Sequence, residues 1–251
     1  FKIEKLLQYA EKFSCNYIAT GHYARKKASL IGIAKDSWKD QSFMLYRLSE
    51  KQREKLLLPL GQKMKDEVKN FVQQCGYEEI ANKRESFGLC FTNGKHYSEF
   101  LLEKYPELKK LENGKVFNKN NQIIGTHKGY PFYTIGQYKG LNCEGKQYIN
   151  KIIAEENAIF VGEKSECYFS TLRLNSLVFS ENIENIKKDT PYLTKIRGKD
   201  EGNFATLREI SSNHSIIEFS QRVFAPMQGQ DVVVYDENNF ILFGGRIEAF
   251  S

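Results

Sequence analysis

The chain has 251 residues, 41% hydrophobic and 27% charged, with a formal net charge of +6. That is the composition of an ordinary globular protein, long enough for one or two domains and allowing three small ones. No run of ~18 apolar residues is present, so no helical membrane span is expected, and no secretory signal peptide is visible.

Five cysteines stand at 15, 75, 90, 143 and 167, an odd and irregular set without a CxxC pair. This argues against a disulfide framework and a structural zinc site, and for a reducing, cytoplasmic setting. Charge is uneven. Residues 166–251 hold 9 Lys and Arg against 12 Asp and Glu, leaving 28 against 19 before them. A positive front suits a polyanionic partner.

Ile3, Leu6, Leu7, Ala10 and Phe13 repeat at helical spacing. Phe1 falls inside that pattern and no initiator Met precedes it, so a piece of a longer protein is expected. A short apolar strand at 16–20 runs into Gly21-His22-Tyr23, which puts Gly21 and His22 at a strand's carboxyl end, where α/β sheets hold ligands. Residues 26–38 read as irregular or a hairpin, and Lys39-Asp40-Gln41-Ser42 as the opening of a helix through Leu48. Ser49 with Gln52 is a capping-box pattern. Val68, Phe71, Val72 and Cys75 make a helical stripe ended by Gly76, which predicts Cys75 as a core residue.

The stretch 85–91, Glu-Ser-Phe-Gly-Leu-Cys-Phe, sets Cys90 after a Gly-Leu pair, with Lys83, Arg84, Lys95 and His96 nearby to lower its pKa. Taken locally, the same stretch reads first as a small buried hydrophobe between two phenylalanines. A Cys90–His96 hydrolase dyad would need a third orienting group and an acyl pocket, which the sequence does not supply. A short helix over 98–105 stops at Pro106, and from 114 the period changes to two. A hairpin is predicted at 115–124, with strands at 132–136, 148–154 and 159–161. Cys143 is expected to be exposed in a Gly-containing loop. Further strands are predicted at 192–197, 203–210, 215–219, 231–235 and 240–247, the pattern of a small barrel or sandwich.

Read together, NYIATGHYAR (16–25), KDQSF (39–43), SFGLCF (86–91), GYPFYTIGQYKGL (129–141) and the AP…GQ run before the strand at 231–235 resemble the bacterial tRNA-specific 2-thiouridylases over essentially the whole chain. The resemblance implies a multidomain α/β plus β protein: the C-terminal part of a PP-loop (adenine nucleotide α-hydrolase-like) domain over 1–84, a small mixed central domain over 85–165 and a C-terminal β-barrel over 166–251. It implies ATP, with Mg2+, adenylating the C2 oxygen of a wobble uridine, and a persulfide on Cys90 whose sulfur replaces that oxygen while an upstream first cysteine assists release. Carried over residue by residue, Cys90 is the persulfide cysteine and Gly21 an ATP contact. His22, Lys39, Asp40, Gln41, Arg197 and Gln230 are tRNA contacts. The implied partners are tRNA and a sulfur-carrier protein or cysteine desulfurase, acting on a monomer.

This sequence departs from the family's pattern in several places. The SGGVDS-type loop and the first cysteine do not occur in it, so the chain alone is expected to be inactive. TNGKHY follows Cys90, QYKGL stands where the family has QRKGL, and two extra residues precede GQ at 229–230. A non-catalytic tRNA-binding or sulfur-accepting paralogue is the alternative reading.

Overall fold

Helix α1 (Lys2–Lys12) forms where the apolar period predicts it, burying Ile3 and Ala10 against Ile18 and Leu56. The computed structural model describes residues 2–83 and 97–251. Two short strands, β1 (Ile18–Ala19) and, further on, β4 (Leu56–Leu57), pair in parallel beside that helix. Between them lie a hairpin of β2 (Arg25–Lys27) and β3 (Leu30–Gly32), two 3-10 turns at Ser37–Lys39 and Ser42–Leu45, and helix α2 (Glu50–Glu54). The predicted capping box is present at α2: Ser49 accepts from the Gln52 amide, and the Gln52 side chain accepts from the Ser49 amide. The helix predicted over 39–48 is replaced by the two 3-10 turns, because Asp40 spends its carboxylate on neighbouring backbone amides.

Helix α3 (Lys65–Gln74) ends at Gly76, whose φ of +82° is the left-handed geometry that favours glycine. Its apolar stripe corrects the expectation for Cys75, which is exposed, as is Phe71 at 65%. The short helix α4 (Glu78–Asn82) follows, but α3 buries no residue among those described. Helical periodicity marks a face without stating that anything covers it.

The chain forms two compact units, one of Phe1–Lys83 with Ser170–Ser251 and one of Arg84–Phe169. In the second, helix α5 (Tyr97–Lys104) precedes β5 (Gly114–Phe117), β6 (Ile123–His127), β7 (Asn142–Cys143), β8 (Tyr148–Ile153) and β9 (Ala158–Gly162). These make one sheet in the order β7-β6-β5-β9-β8, with Val116, Ile149, Ile159 and Val161 on its buried face. The strand predicted over 132–136 is a 3-10 turn at Tyr130–Phe132, since Gly129 and Gly136 take positive φ on either side. Cys143 is half-buried against this core rather than exposed, and burial pushes its thiol pKa up.

The remaining strands, β10 (Tyr168–Phe179), β11 (Pro191–Lys195), β12 (Asn203–Ile210), β13 (His214–Phe224), β14 (Asp231–Tyr235) and β15 (Ile241–Phe250), close a barrel in the order β10-β13-β12-β11-β14-β15. Leu172, Leu174, Leu207, Ile217, Val232, Val234 and Phe243 fill it. In β14, Val233 and Tyr235 alternate with Val232 and Val234, yet they too are buried, against Ala24, Ile31, Leu45 and Tyr46. The run VVVY is apolar throughout because both faces are covered, one by the barrel interior and one by the front of the chain.

His127 is 3% exposed. It accepts from the Gly129 amide at Nδ1 (3.1 Å), so its proton sits on Nε2, 3.1 Å from the Asn157 carbonyl. Burial lowers its pKa. The unfolded chain therefore takes up a proton at a higher pH than the folded one, so this contribution to stability is complete above about pH 6.5 and is lost as pH falls through the folded value. His22, also lowered, acts in the same direction. Urea midpoints are expected to fall between pH 7 and pH 5, and His127→Gln, less stable at pH 7, to show a shallower fall; parallel slopes would remove His127 from the acid limb.

Candidate functional site

Strand β1 delivers Thr20, Gly21 and His22 at its carboxyl end, with the Thr20 amide bonded to the Leu57 carbonyl at 3.1 Å. Gly21 is exposed, and a side chain there would meet only Leu60, at 3.8 Å. His22 is half-buried with Nδ1 2.9 Å from Thr20 Oγ1. Burial, and secondarily the charge of Lys2, lower its pKa, so it presents a neutral imidazole at pH 7.

The GHY turn and the KDQ loop, read apart in the sequence, are tied together. The Tyr23 amide donates to Gln41 Oε1 (3.1 Å), and the Gln41 amide donates to the Tyr23 carbonyl (2.7 Å). Gln41 thus spends its side-chain carbonyl on positioning. Asp40, expected among the RNA contacts, turns its side chain inward. Its side chain is 1% exposed, and Lys195 Nζ lies 2.9 Å from Oδ2. The Ala34 amide (3.0 Å), the Ser42 amide (3.1 Å) and Ser42 Oγ (2.9 Å) fill its other acceptor positions. A carboxylate so filled sets the shape of residues 34–42.

The Ser42 proton is spent on Asp40, so Tyr235 OH, 3.1 Å away, donates to Ser42 Oγ. Burial raises the Tyr235 pKa, which keeps this phenol a donor. Lys195, Ser42 and Tyr235 were missed from sequence. The available signal was Lys195 within TKIRGKD, two residues from Leu193 and therefore on its face of β11. Trp38, beside Lys39, was also missed; it is 87% exposed. Its turn is pinned by Asp36, which accepts from the Lys39 amide through its carbonyl and from the Lys65 amide through its carboxylate.

Arg197 is a strut. Its guanidinium donates to the Phe224 carbonyl (3.2 Å) and the Ala225 carbonyl, at the corner that opens the Ala225–Gln230 loop. Gln230 closes that loop by accepting from the Met227 amide at 3.1 Å. The front of the chain reaches both. A side chain on Gly198 would meet Phe43 at 3.6 Å, and Arg47 pairs with Asp231 at 2.7 Å. Gly21, His22, Lys39, Gln41, Arg197 and Gln230 therefore belong to one unit, linked through Lys195–Asp40 and Arg47–Asp231. Cys90 lies outside the described residues. Among those described, no three His, Cys, Asp or Glu side chains gather to hold a metal ion, and no helix is long and apolar enough to cross a membrane.

An α/β part carrying a strand-end glycine, a central sheet domain and a closed six-stranded barrel define a HUP-type protein with appended β domains. Residues 1–94 match the family model described as the tRNA methyl transferase HUP domain, and residues 98–163 the one described as the tRNA methyl transferase PRC-barrel domain. The chain is 31% identical to the tRNA-specific 2-thiouridylase MnmA of Cytophaga hutchinsonii, over 99% of this chain and 69% of that protein. It is 35% identical to the protein of the same name from Natranaerobius thermophilus, over 98% and 68%, and 34% to that of Halothermothrix orenii, over 98% and 69%. The chain belongs to this tRNA-specific 2-thiouridylase family.

Removing Lys195 leaves Asp40 charged, buried and short of a partner. Lys195→Met is expected to cost about 3–5 kcal/mol in urea unfolding. Arg47→Ala, at a pair whose side chains are 39% and 33% exposed, is expected to cost under about 1 kcal/mol. Equal costs would contradict this account of the seam.

Proposed function

We propose that this chain, as part of its full-length polypeptide, thiolates the C2 position of a wobble uridine in tRNA. The observation that carries the reading is the seam itself. Residues expected to meet tRNA come from the front of the chain and from the barrel, and a buried ion pair holds the two sources together. The likeness to relatives named 2-thiouridylases over nearly the whole chain supports it. The words "methyl transferase" in the matched descriptions name another chemistry. Thiolation is preferred because the relatives named 2-thiouridylases match over 98–99% of the chain, barrel included, whereas the two descriptions cover residues 1–94 and 98–163.

Uridine O2 leaves poorly until it is activated, and ATP supplies that activation when bound. Gly21, at an open strand end, lets the nucleotide approach the backbone. Lys39 pairs with phosphate. Gln41 Nε2 and Gln230 face sugar or base edges, and His22 acts as a neutral hydrogen-bonding group. Trp38 offers a ring to a splayed base. The base leaves its stack to be reached. The terminal persulfide sulfur on Cys90 attacks C2, the C2–O bond breaks with AMP leaving, and a second thiol cleaves the S–S bond to release the product. That leaves a disulfide, which an external dithiol reduces. A sulfur carrier or cysteine desulfurase reloads Cys90, in a cytoplasm that keeps thiols reduced.

The test is intact-protein mass spectrometry of the full-length gene product after incubation with a desulfurase and cysteine, then tRNA thiolation with ATP. One added sulfur mapping to Cys90 is expected. Cys90→Ser should abolish thiolation while tRNA affinity stays within a few-fold. A Cys90 that takes no sulfur and resists alkylation would favour a tRNA-binding paralogue. Lys39→Glu should weaken tRNA binding and lower the slope of log K against log salt by about one; an unchanged slope would take Lys39 off the contact surface.

A further inference from the structure

The central sheet has two faces. Val116, Ile149, Ile159 and Val161 occupy the buried one, so Phe117, Tyr148 and Phe160, each next in sequence to one of these, point the other way. Phe117 and Phe160 are register partners on adjacent strands, stacked at 5.1 Å, with Lys151 Nζ 5.5 Å from the Phe160 ring. At the β8 edge, Tyr138 packs on Tyr148 with ring centroids 5.3 Å apart. Tyr138 is brought there because the Gly136 amide donates to the Ile149 carbonyl (2.7 Å) and the Ile149 amide to the Gln137 carbonyl (2.9 Å). Lys146 Nζ lies 4.8 Å from the Tyr138 ring and 5.7 Å from that of Tyr148, and Lys139 Nζ lies 5.7 Å from Tyr138. Tyr138 is 42% exposed, and Lys139 and Lys146 are exposed.

From these contacts we propose that the outer face of the central sheet, centred on Tyr138, Tyr148 and Lys146, is an RNA-stacking surface that binds unpaired bases and their phosphates. Three cation–π contacts fall within residues 138–148, where ammonium groups lie against ring faces. Aromatic rings interleaved with cations are what single-stranded nucleic acid binds: bases stack on the rings and phosphates meet the charges. Protein interfaces use arginine and are poor in lysine, whereas residues 114–162 contain six lysines, three glutamates and no arginine. Two carboxylates border the patch. Glu166 is engaged by Asn150 at 2.9 Å, and Glu144 is exposed in the same turn as Lys146. The surface rests on the tRNA reading above and adds to it a second contact, on a different unit from His22 and Lys39.

The experiment measures tRNA affinity of the full-length protein and its variants across a salt series. It also maps photo-crosslinks from 5-bromouridine-substituted tRNA on the wild-type protein. Tyr138→Ala is expected to lose roughly tenfold in affinity, with Tyr138→Phe within twofold of wild type. Lys146→Gln is expected to lower the log–log salt slope by about one, and crosslinks are expected at the peptide holding Tyr138 or Tyr148. Should Tyr138→Ala fail to fold, the Lys146→Gln slope and the wild-type crosslinks decide. Wild-type affinity in Tyr138→Ala, or an unchanged slope in Lys146→Gln with no crosslink to 138–148, overturns this inference and leaves the tRNA reading standing. Unaltered tRNA binding with slower sulfur loading from the desulfurase would make the face a protein surface and overturn it too. A wild-type protein that binds no tRNA sinks both.

Discussion

The contact between Lys195 and Asp40 is the one on which the arrangement of the first unit depends. Each partner alone would be a charge in a dry seam, where desolvation is costly. Together, with two amides and a serine hydroxyl filling the carboxylate, they fix the backbone of residues 34–42 against strand β11. Apolar packing around Tyr46, Val233 and Tyr235 supplies adhesion, but such packing tolerates sliding. A carboxylate with four directed partners does not, and it sets the register of one part on the other. Lys39, Gln41 and Trp38 inherit their positions from that register, as do Arg197 and Gln230 from the other side.

Much of the fold was legible because its signals are local. Strands β12 and β14 match their predicted ranges, the Ser49–Gln52 capping box formed, and Gly76 ended α3. The misses have a common cause in tertiary context. Cys75 sits on an apolar stripe, yet nothing among the described residues covers it. Strand β10 was not proposed because its alternation is interrupted: between Asn175 and Val178 the register slips, with Ser176 at a φ of +50°. Strand β4 is two residues long and exists only because β1 lies beside it.

The site divides the same way. The GHY and KDQ motifs could be read as belonging to one family of contacts, but not as bonded to each other. Asp40 looked like a surface acid in a polar tetrad. Its partner is 155 residues away, a distance at which no periodicity or capping rule speaks. What the sequence did hold was indirect: a lysine at the end of a strand, two residues after Leu193 and just before Ile196, and a VVVY run with no polar face, both signs that something covers the barrel's outer surface at that point.

Because Phe1–Lys83 and Ser170–Ser251 form one compact unit, the chain's order of synthesis and its order of assembly differ. The surface that receives Val233 and Tyr235 leaves the ribosome long before they do. At ~5–20 residues per second the wait is on the order of ten seconds. Throughout it Ile31, Leu45 and Tyr46 lack their cover, and Asp40 lacks its cation. During that interval the nascent chain carries an apolar patch and an unfinished charge. A premature stop within the barrel would leave a stickier product than the lost length alone suggests.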